Sequence, residues 1–533
     1  MNWITKIGYT VVCAAAFCLC ACENDMDKIV LSDTANTAEK AWSDELAYDS
    51  FLAKIYAGFS ASGNQGPNGY DDLTASDQGE ATWVRSYFTL QEFCTDECRV
   101  AWNSDELNDL QFGTWSSDNH FFSLNFNRMY LNIAYCNEYL RETTPEKLTE
   151  RNMSDVVKSR VEVYRQEVRV LRAMNYYFLM DLYGNIPIIV EEDGVGSYLP
   201  EQSTRAEVFA WIEDELTSIG TLPDRGQYGR VNANVVAMVL AKMYLNAEVY
   251  IGQNRYADCA AQLQTILSAG YELEENYKYN FNADNHISRE IIYGIVYDSK
   301  KASSWGGTTF LMGFQTTSDM GNLETMVGCT QNWSGGHVDE NFIDLFLPND
   351  KRGPADGIFY MQNSKGEKRS KSINDLYNAM QGYNILKYTN LTREGRPGQD
   401  TYFPDTDFPL YRLADVYLMY AECAIQGAVG ADMATALVYV NDLRERAGLG
   451  RDIESYQLTL DFIRDERARE LYWEGHRRTD LIRLNSFIDS DYNWNWKGGA
   501  KMGVKVADPK LKLYPIPATE RSVNPNLKQN DGY

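Results

Sequence analysis

The chain has 533 residues, enough for a large core and for about two to four domains by length. Its composition is that of an ordinary globular protein with an excess of aromatic surface-formers, 36 Tyr and 11 Trp. The net charge of −25 repels phosphate backbones, which excludes nucleic acid as a partner but names no ligand.

The first residues read as a targeting segment. Lys6 supplies a minimal positive end, and residues 11–19 form an apolar run too short to span a bilayer. The run ends in Leu19-Cys20-Ala21-Cys22, which looks like a lipobox with cleavage before Cys22. A plain signal peptide cut at a small residue is the competing reading; a cysteine placed directly after small residues favours the lipobox. Residues 1–21 are therefore expected to be removed, and three acyl chains on Cys22 would exceed the two signals needed for stable anchoring. Residues 22–40 are polar and predict a flexible stalk, with Glu23, Asp25 and Asp27 resembling an export signal of surface lipoproteins. No later segment is apolar enough to cross a membrane.

Helical patterning begins near Glu39, and residues 41–533 are expected to form the folded domain. Residues 60–110 are loop-rich. A helix is predicted over 120–141 and another over 157–183, where Val168, Leu171, Phe178, Leu179 and Leu182 share a face. The second stops at Gly184-Asn185-Ile186-Pro187, a glycine stop followed by proline. Further helices are predicted over 206–219, 232–250 and 256–267. Residues 271–402 are rich in Gly, Asn, Ser and Thr with short β-like runs such as 291–297. Helices return over 409–426, 433–446 and 459–471. These segments make helix pairs with Tyr and Ala at the contacts, similar to degenerate tetratricopeptide repeats. The prediction is a mainly α fold: a helical frame at about 118–270 and 405–490, carrying a loop-rich, partly β insertion. Loops on a rigid frame, here 60–110 and 271–402, are where binding sites usually lie.

Six cysteines remain after the leader and anchor: Cys94, Cys98, Cys136, Cys259, Cys329 and Cys423. Cys94-x3-Cys98 admits a disulfide or a metal, but with only four His and no second Cys pair nearby no metal site is expected. The arginines 464, 467, 469, 477 and 478 read as an ion-pair network with Asp465, Glu466, Glu470 and Glu474 rather than as a basic patch. Trp211 and Trp473 read as packing residues on amphipathic helices, and Trp494 and Trp496 as structural. A glycoside hydrolase would need two carboxylates about 5–10 Å apart across a bond. Asp96-Glu97 is the tempting pair, but adjacent strand residues point to opposite faces, so catalysis is not expected.

Several blocks carry a family resemblance: RQEVRVLRAMNYYFLMDLYGNIP (165–187), Gly229-Arg230 leading into VNANVVAMVLAKMYLNAEVY, FPLYRLADVYLMYAECAIQG (408–427), RDERARELYWEGHRRTDLIR (464–483) and the C-terminal YPIPATERSVNPNLKQNDGY. They span nearly the whole mature chain and resemble the SusD/RagB family. Within it, residues 77–102 are similar to the glycan-binding segment of starch-binding members. The resemblance implies an aromatic arc at Trp102, Trp305 and Trp333, with tryptophan at 305 where the family has tyrosine. It implies hydrogen bonding to sugar hydroxyls by Arg85, with Asp77 a nearby acid. Asp105 stands where the family has asparagine, and aspartate only accepts hydrogen bonds.

Three rings set at an angle would favour a helically bent glycan, since pyranose C–H faces stack on flat aromatic surfaces while forked donors read the hydroxyls. The implied function is polysaccharide or oligosaccharide binding at the outer membrane surface, without catalysis or cofactor, with delivery to a SusC-like TonB-dependent barrel. An α-glucan such as starch or maltooligosaccharide is the expected ligand, ahead of dextran, fructan, another plant polysaccharide, or peptides bound in a RagB-like manner. Some relatives bind calcium, but no ligand cluster for it stands out in this sequence.

Overall fold

The computed structural model describes residues 38–194, 196 and 198–533. The leader, Cys22 and nearly all of the stalk lie outside them. The chain divides into a unit ending at Ser50 and a unit Phe51–Tyr533. In the first, a short helix Ala38–Trp42 precedes the start of helix Glu45–Ser60, and the Tyr48 hydroxyl donates to the Trp42 carbonyl at 2.9 Å. The remainder concerns the second unit.

That unit is mainly helical, and its strands among the described residues form short two-stranded ladders. Its long helices form where the apolar period runs at 3.6 residues and a capping side chain opens them. Helix Asp155–Tyr183 starts at Ser154, whose hydroxyl accepts from Val157 N, and ends at Gly184 with φ 74°. A side chain at Gly184 would also collide with Leu513. Helix His120–Glu142 packs against Asp155–Tyr183, and the latter against Arg205–Thr217. Ala233–Leu245 pairs with Tyr256–Leu267, which in turn meets Leu413–Ile425. Leu413–Ile425 packs against both Met433–Arg446 and Leu460–Leu471. These are the helix pairs anticipated from the pattern. No helix among the described residues is long and apolar enough to cross a membrane.

Three elements differ from expectation. Residues 408–412 form a strand, Phe408–Arg412, antiparallel to Ile291–Ile295, and the helix starts only at Leu413. Pro409 has no N–H to donate, and it sits opposite Gly294 beside an irregularity of the ladder. The strand is buried on both faces, so its apolar run merges with the helical period that follows. The helix predicted over 232–250 breaks at Asn246, which accepts from Arg483 at 3.1 Å, and resumes at Ala247–Ile251. Within the loop-rich 60–110 segment stand two helices, Trp83–Glu92 and Asp105–Phe112.

Four of the five block arginines are held in ion pairs, Arg464 and Arg469 within their own helix and Arg467 and Arg477 with partners from other elements. Arg464 meets Asp465 and Arg469 meets Glu466. Arg467 bridges Asp415 and Asp480 at 2.8 and 2.6 Å, and Arg477 binds Asp96 at 2.7 Å. Glu470 and Glu474 are taken by Arg412, at 2.6 and 2.7 Å, and Arg412 also reaches Glu290 at 2.8 Å. Arg478 instead lies over the Tyr514 ring and donates to the Leu511 carbonyl. Pairing of this density is what permits so many charges to be desolvated together. Trp473 is fully buried, but it follows the helix rather than lying on it, at φ 60°, and its indole N–H donates to the Glu97 carbonyl. All six cysteines of the described residues are buried and unbridged, Cys94 and Cys98 included.

Candidate glycan-binding site

The frame carries the candidate site through three layers. Helix Trp83–Glu92 packs on His120–Glu142, and helix Gly307–Gln315 packs on Trp83–Glu92. Strand Arg99–Val100 then pairs antiparallel with Gly336–His337, and Ala101 N extends the ladder to the Gly335 carbonyl at 2.8 Å. This short ladder brings Trp102 beside Trp333: the Trp102 indole N–H donates to the Trp333 carbonyl at 2.8 Å. The Trp333 segment is itself stitched to the shelf helix, with Trp333 N on the Gly313 carbonyl and Gly335 N on the Phe314 carbonyl. The Trp333 ring rests where a side chain at Gly313 would be, so only glycine admits it. Trp305 precedes the same helix, its ring centre 6.4 Å from that of Trp333 with the planes tilted by 44°. Its indole N–H donates to Asn68 at 2.9 Å. All three tryptophans are half-buried.

Behind the rings stands a second aromatic layer. Phe310 and Phe314 are stacked 5.2 Å apart, Phe314 stacks on Phe93 at 5.3 Å, and Trp102 meets Phe314 edge-on. Trp83, which resembles Trp102 in sequence, lies in the core against Tyr87 with its N–H on Asn175.

Trp102, Trp305 and Trp333 line one cavity of about 1240 Å³, together with Asp77 and Arg85. Arg85 binds Asp77 at 2.8 Å and lies 4.7 Å over the Phe310 ring; its side chain is 9% exposed and that of Asp77 is 62% exposed. The Asp77 loop and the Trp305 loop meet backbone to backbone: Gly79, at φ 77°, leaves no room for a side chain against Trp305 and Gly306. Asp105 is not brought to the wall. It is the exposed first residue of helix Asp105–Phe112, although its neighbours Ser104 and Glu106 line the cavity.

The wall also holds residues that sequence reasoning passed over. Glu80 and His120 face each other at 3.3 Å, and Ser76 donates to Glu80 at 2.7 Å. Burial alone would raise the Glu80 carboxyl, but the hydrogen bonds from His120 and Ser76 and the charge of Arg85 hold it below the ordinary carboxylate range. Phe310 was missed because its helix, GTTFLMGFQ, is buried on every side and offers no amphipathic period. Asp96 and Glu97 lie away from this cavity. Both are buried; Asp96 serves Arg477, and burial together with the Glu92 charge pushes the Glu97 carboxyl up. Among the described residues no group of three or more potential ligands gathers to hold a metal ion.

A helical-repeat frame presenting an aromatic shelf in a cleft is the architecture on which known proteins can be compared. Residues 266–533 match the model of the SusD family, and residues 42–245 match a model described as starch-binding and associating with the outer membrane. The chain is 31% identical over 528 residues to the starch-binding protein SusD of Bacteroides thetaiotaomicron, covering 90% of this chain and 91% of that protein. It is 26% identical over 403 residues to the SusD-like protein P25 of Formosa agariphila, covering 68% and 71%. Among solved structures, a SusD superfamily protein of Parabacteroides distasonis superposes with a TM-score of 0.71 at 22% identity, covering 94% of this chain and 100% of that one. Surface glycan-binding protein A of Bacteroides thetaiotaomicron, in complex with laminarihexaose, gives 0.68 at 20% identity, covering 91% and 98%. The chain belongs to the SusD family, an outer-membrane-associated family whose glycan-binding proteins are non-catalytic.

Proposed function

We propose that this protein binds an α-glucan, starch or maltooligosaccharide, on Trp102, Trp305 and Trp333, with Arg85 and Asp77 reading the hydroxyls. The single observation that carries this reading is the meeting of three half-buried indoles, far apart in sequence, on one wall of one cavity, two of them tilted by 44°. A tilted shelf suits a bent chain better than a flat one, since each sugar must present its C–H face to a differently oriented ring. Kinship with a starch-binding protein at 31% identity favours the same ligand class. Asp105, off the wall at the start of its helix and an acceptor only, argues against an identical set of contacts.

Stacking at about 1–2 kcal/mol per ring, over three rings, gives affinities from about tens of micromolar to several millimolar. Such weak holding fits a protein that surrenders its ligand, here to a SusC-like TonB-dependent barrel, while lipid on Cys22 keeps it at the outer membrane surface. Native electrophoresis through starch-impregnated gel tests the ligand and the site together. The unaltered protein is retained, and the Trp102→Ala/Trp305→Ala/Trp333→Ala variant runs free; equal mobility of the two would overturn the assignment. Calorimetry against maltooligosaccharide, dextran and laminarihexaose separates the glucan classes.

A further inference from the structure

We propose that the cavity holds a second sugar subsite beyond the tryptophan shelf, built by His120, Phe121, Glu106 and Asp118, which admits neutral glycan and turns away glycan bearing acidic groups. The proposal rests on the glycan reading above and extends it to a ligand class and a further set of residues. The same cavity that the three tryptophans line is also walled by the start of helix His120–Glu142 and the first turn of helix Asp105–Phe112. Nothing in the shelf itself accounts for that extension.

The extension has both parts that sugar recognition requires. Its apolar part is the Phe121 ring, set beside the His120 ring at 4.1 Å between centres, with Leu107 and Leu124 completing the wall. Its polar part is the His120–Glu80 pair and the Ser123 and Thr519 hydroxyls, 3.0 Å apart, which also line the cavity. The balance of groups then selects the ligand. The cavity wall carries four carboxylates, Asp77, Glu80, Glu106 and Asp118, against Arg85 and His120. Arg85 is already engaged by Asp77 and His120 by Glu80. Carboxylates accept hydrogen bonds and do not donate them, so the wall is completed by hydroxyl donors. A uronate or sulfate group would enter against like charge, with no free cation among the described residues of the wall to receive it.

Calorimetry with maltotriose, maltoheptaose and C6-carboxylated maltoheptaose tests this on the full chain, using His120→Ala and Glu106→Gln/Asp118→Asn. The expected result is that maltotriose binds the unaltered protein and both variants alike, since it is held by the shelf. Maltoheptaose binds the unaltered protein about tenfold more tightly, a gain that His120→Ala erases. The carboxylated sugar binds more weakly than the neutral one, and Glu106→Gln/Asp118→Asn narrows that difference. A length-dependent gain that survives His120→Ala, or equal affinity for neutral and carboxylated sugar, overturns the subsite while leaving the shelf intact. Failure of the unaltered protein to bind either neutral oligosaccharide overturns both readings. Unchanged thermal unfolding of the variants confirms that the comparison is made between folded proteins.

Discussion

Trp333 lies against the backbone of Gly313, and a single methyl group there would push the indole off its seat. Gly313→Ala therefore acts on the shelf without touching any ligand-facing atom. Its expected effect is a loss of starch retention comparable to Trp333→Ala, with a near-normal circular dichroism spectrum, read by affinity electrophoresis beside the spectrum. At this scale, the residues legible from sequence were those that resemblance could name. Trp102, Trp305, Trp333, Arg85 and Asp77 all reach one cavity. Asp105 does not, because residue 105 opens a helix whose cap is Ser104 and its side chain points to solvent. Glu80 and His120 were illegible for a plain reason: they lie forty residues apart and meet only through the packing of helix Trp83–Glu92 on helix His120–Glu142.

Among the elements, Arg412 has an unusual burden. It ends the strand Phe408–Arg412 and answers Glu290, Glu470 and Glu474, all fully buried. Removing it takes one partner from each of three buried carboxylates, leaving Glu290 to Arg446, Glu470 to Arg446 and Arg352, and Glu474 to Lys387. Arg412→Ala is expected to cost about 3–5 kcal/mol, measured by urea unfolding, with failure to accumulate as folded protein the extreme of the same effect. The helix pairs were legible because each long helix keeps its apolar period over several turns. The strand at 408–412 was not, since a doubly buried strand of five residues carries no alternation and feeds directly into a helix of like composition. Trp473 was misplaced for a related reason: the amphipathic pattern runs through Tyr472, while the backbone turns at Trp473 into a positive φ.

For the molecule as a whole, the buried network sets the response to acid. Burial alone would raise the carboxyls of Glu466 and Asp480, but the guanidiniums of Arg352 and Arg469, and of Arg467 and Arg483, outweigh it and hold both at about 2. Asp415 moves the same way, held well below the usual range by Lys242 and Arg467 despite burial. A carboxyl depressed in the fold contributes stability that is complete above its unfolded value of 4.5 for Glu466 and 3.8 for Asp480, and is lost as pH falls toward 2. Glu92 opposes this: burial raises it to about 7, so its contribution is present below 4.5 and fades as pH rises to 7. Because several groups lie on the first side, the melting temperature is expected to fall steeply between about pH 4.5 and 2 in calorimetric scans, and a flat profile there would contradict the network. Attachment is separable from folding. Cys22→Ser is expected to move the protein from the detergent phase to the aqueous phase in a cloud-point partition while leaving starch retention unchanged.

The interior also contains a ready-made reporter. Cys94, Cys98, Cys136, Cys259, Cys329 and Cys423 are spread from the cavity-side loops to the repeat helices, and every one is shielded and unpaired. Maturation of the described residues thus needs no oxidant, and a reducing agent has nothing there to cut. A maleimide added to the folded protein finds these sulfurs only when a region opens, so the order in which they are labelled traces which part of the molecule lets go first.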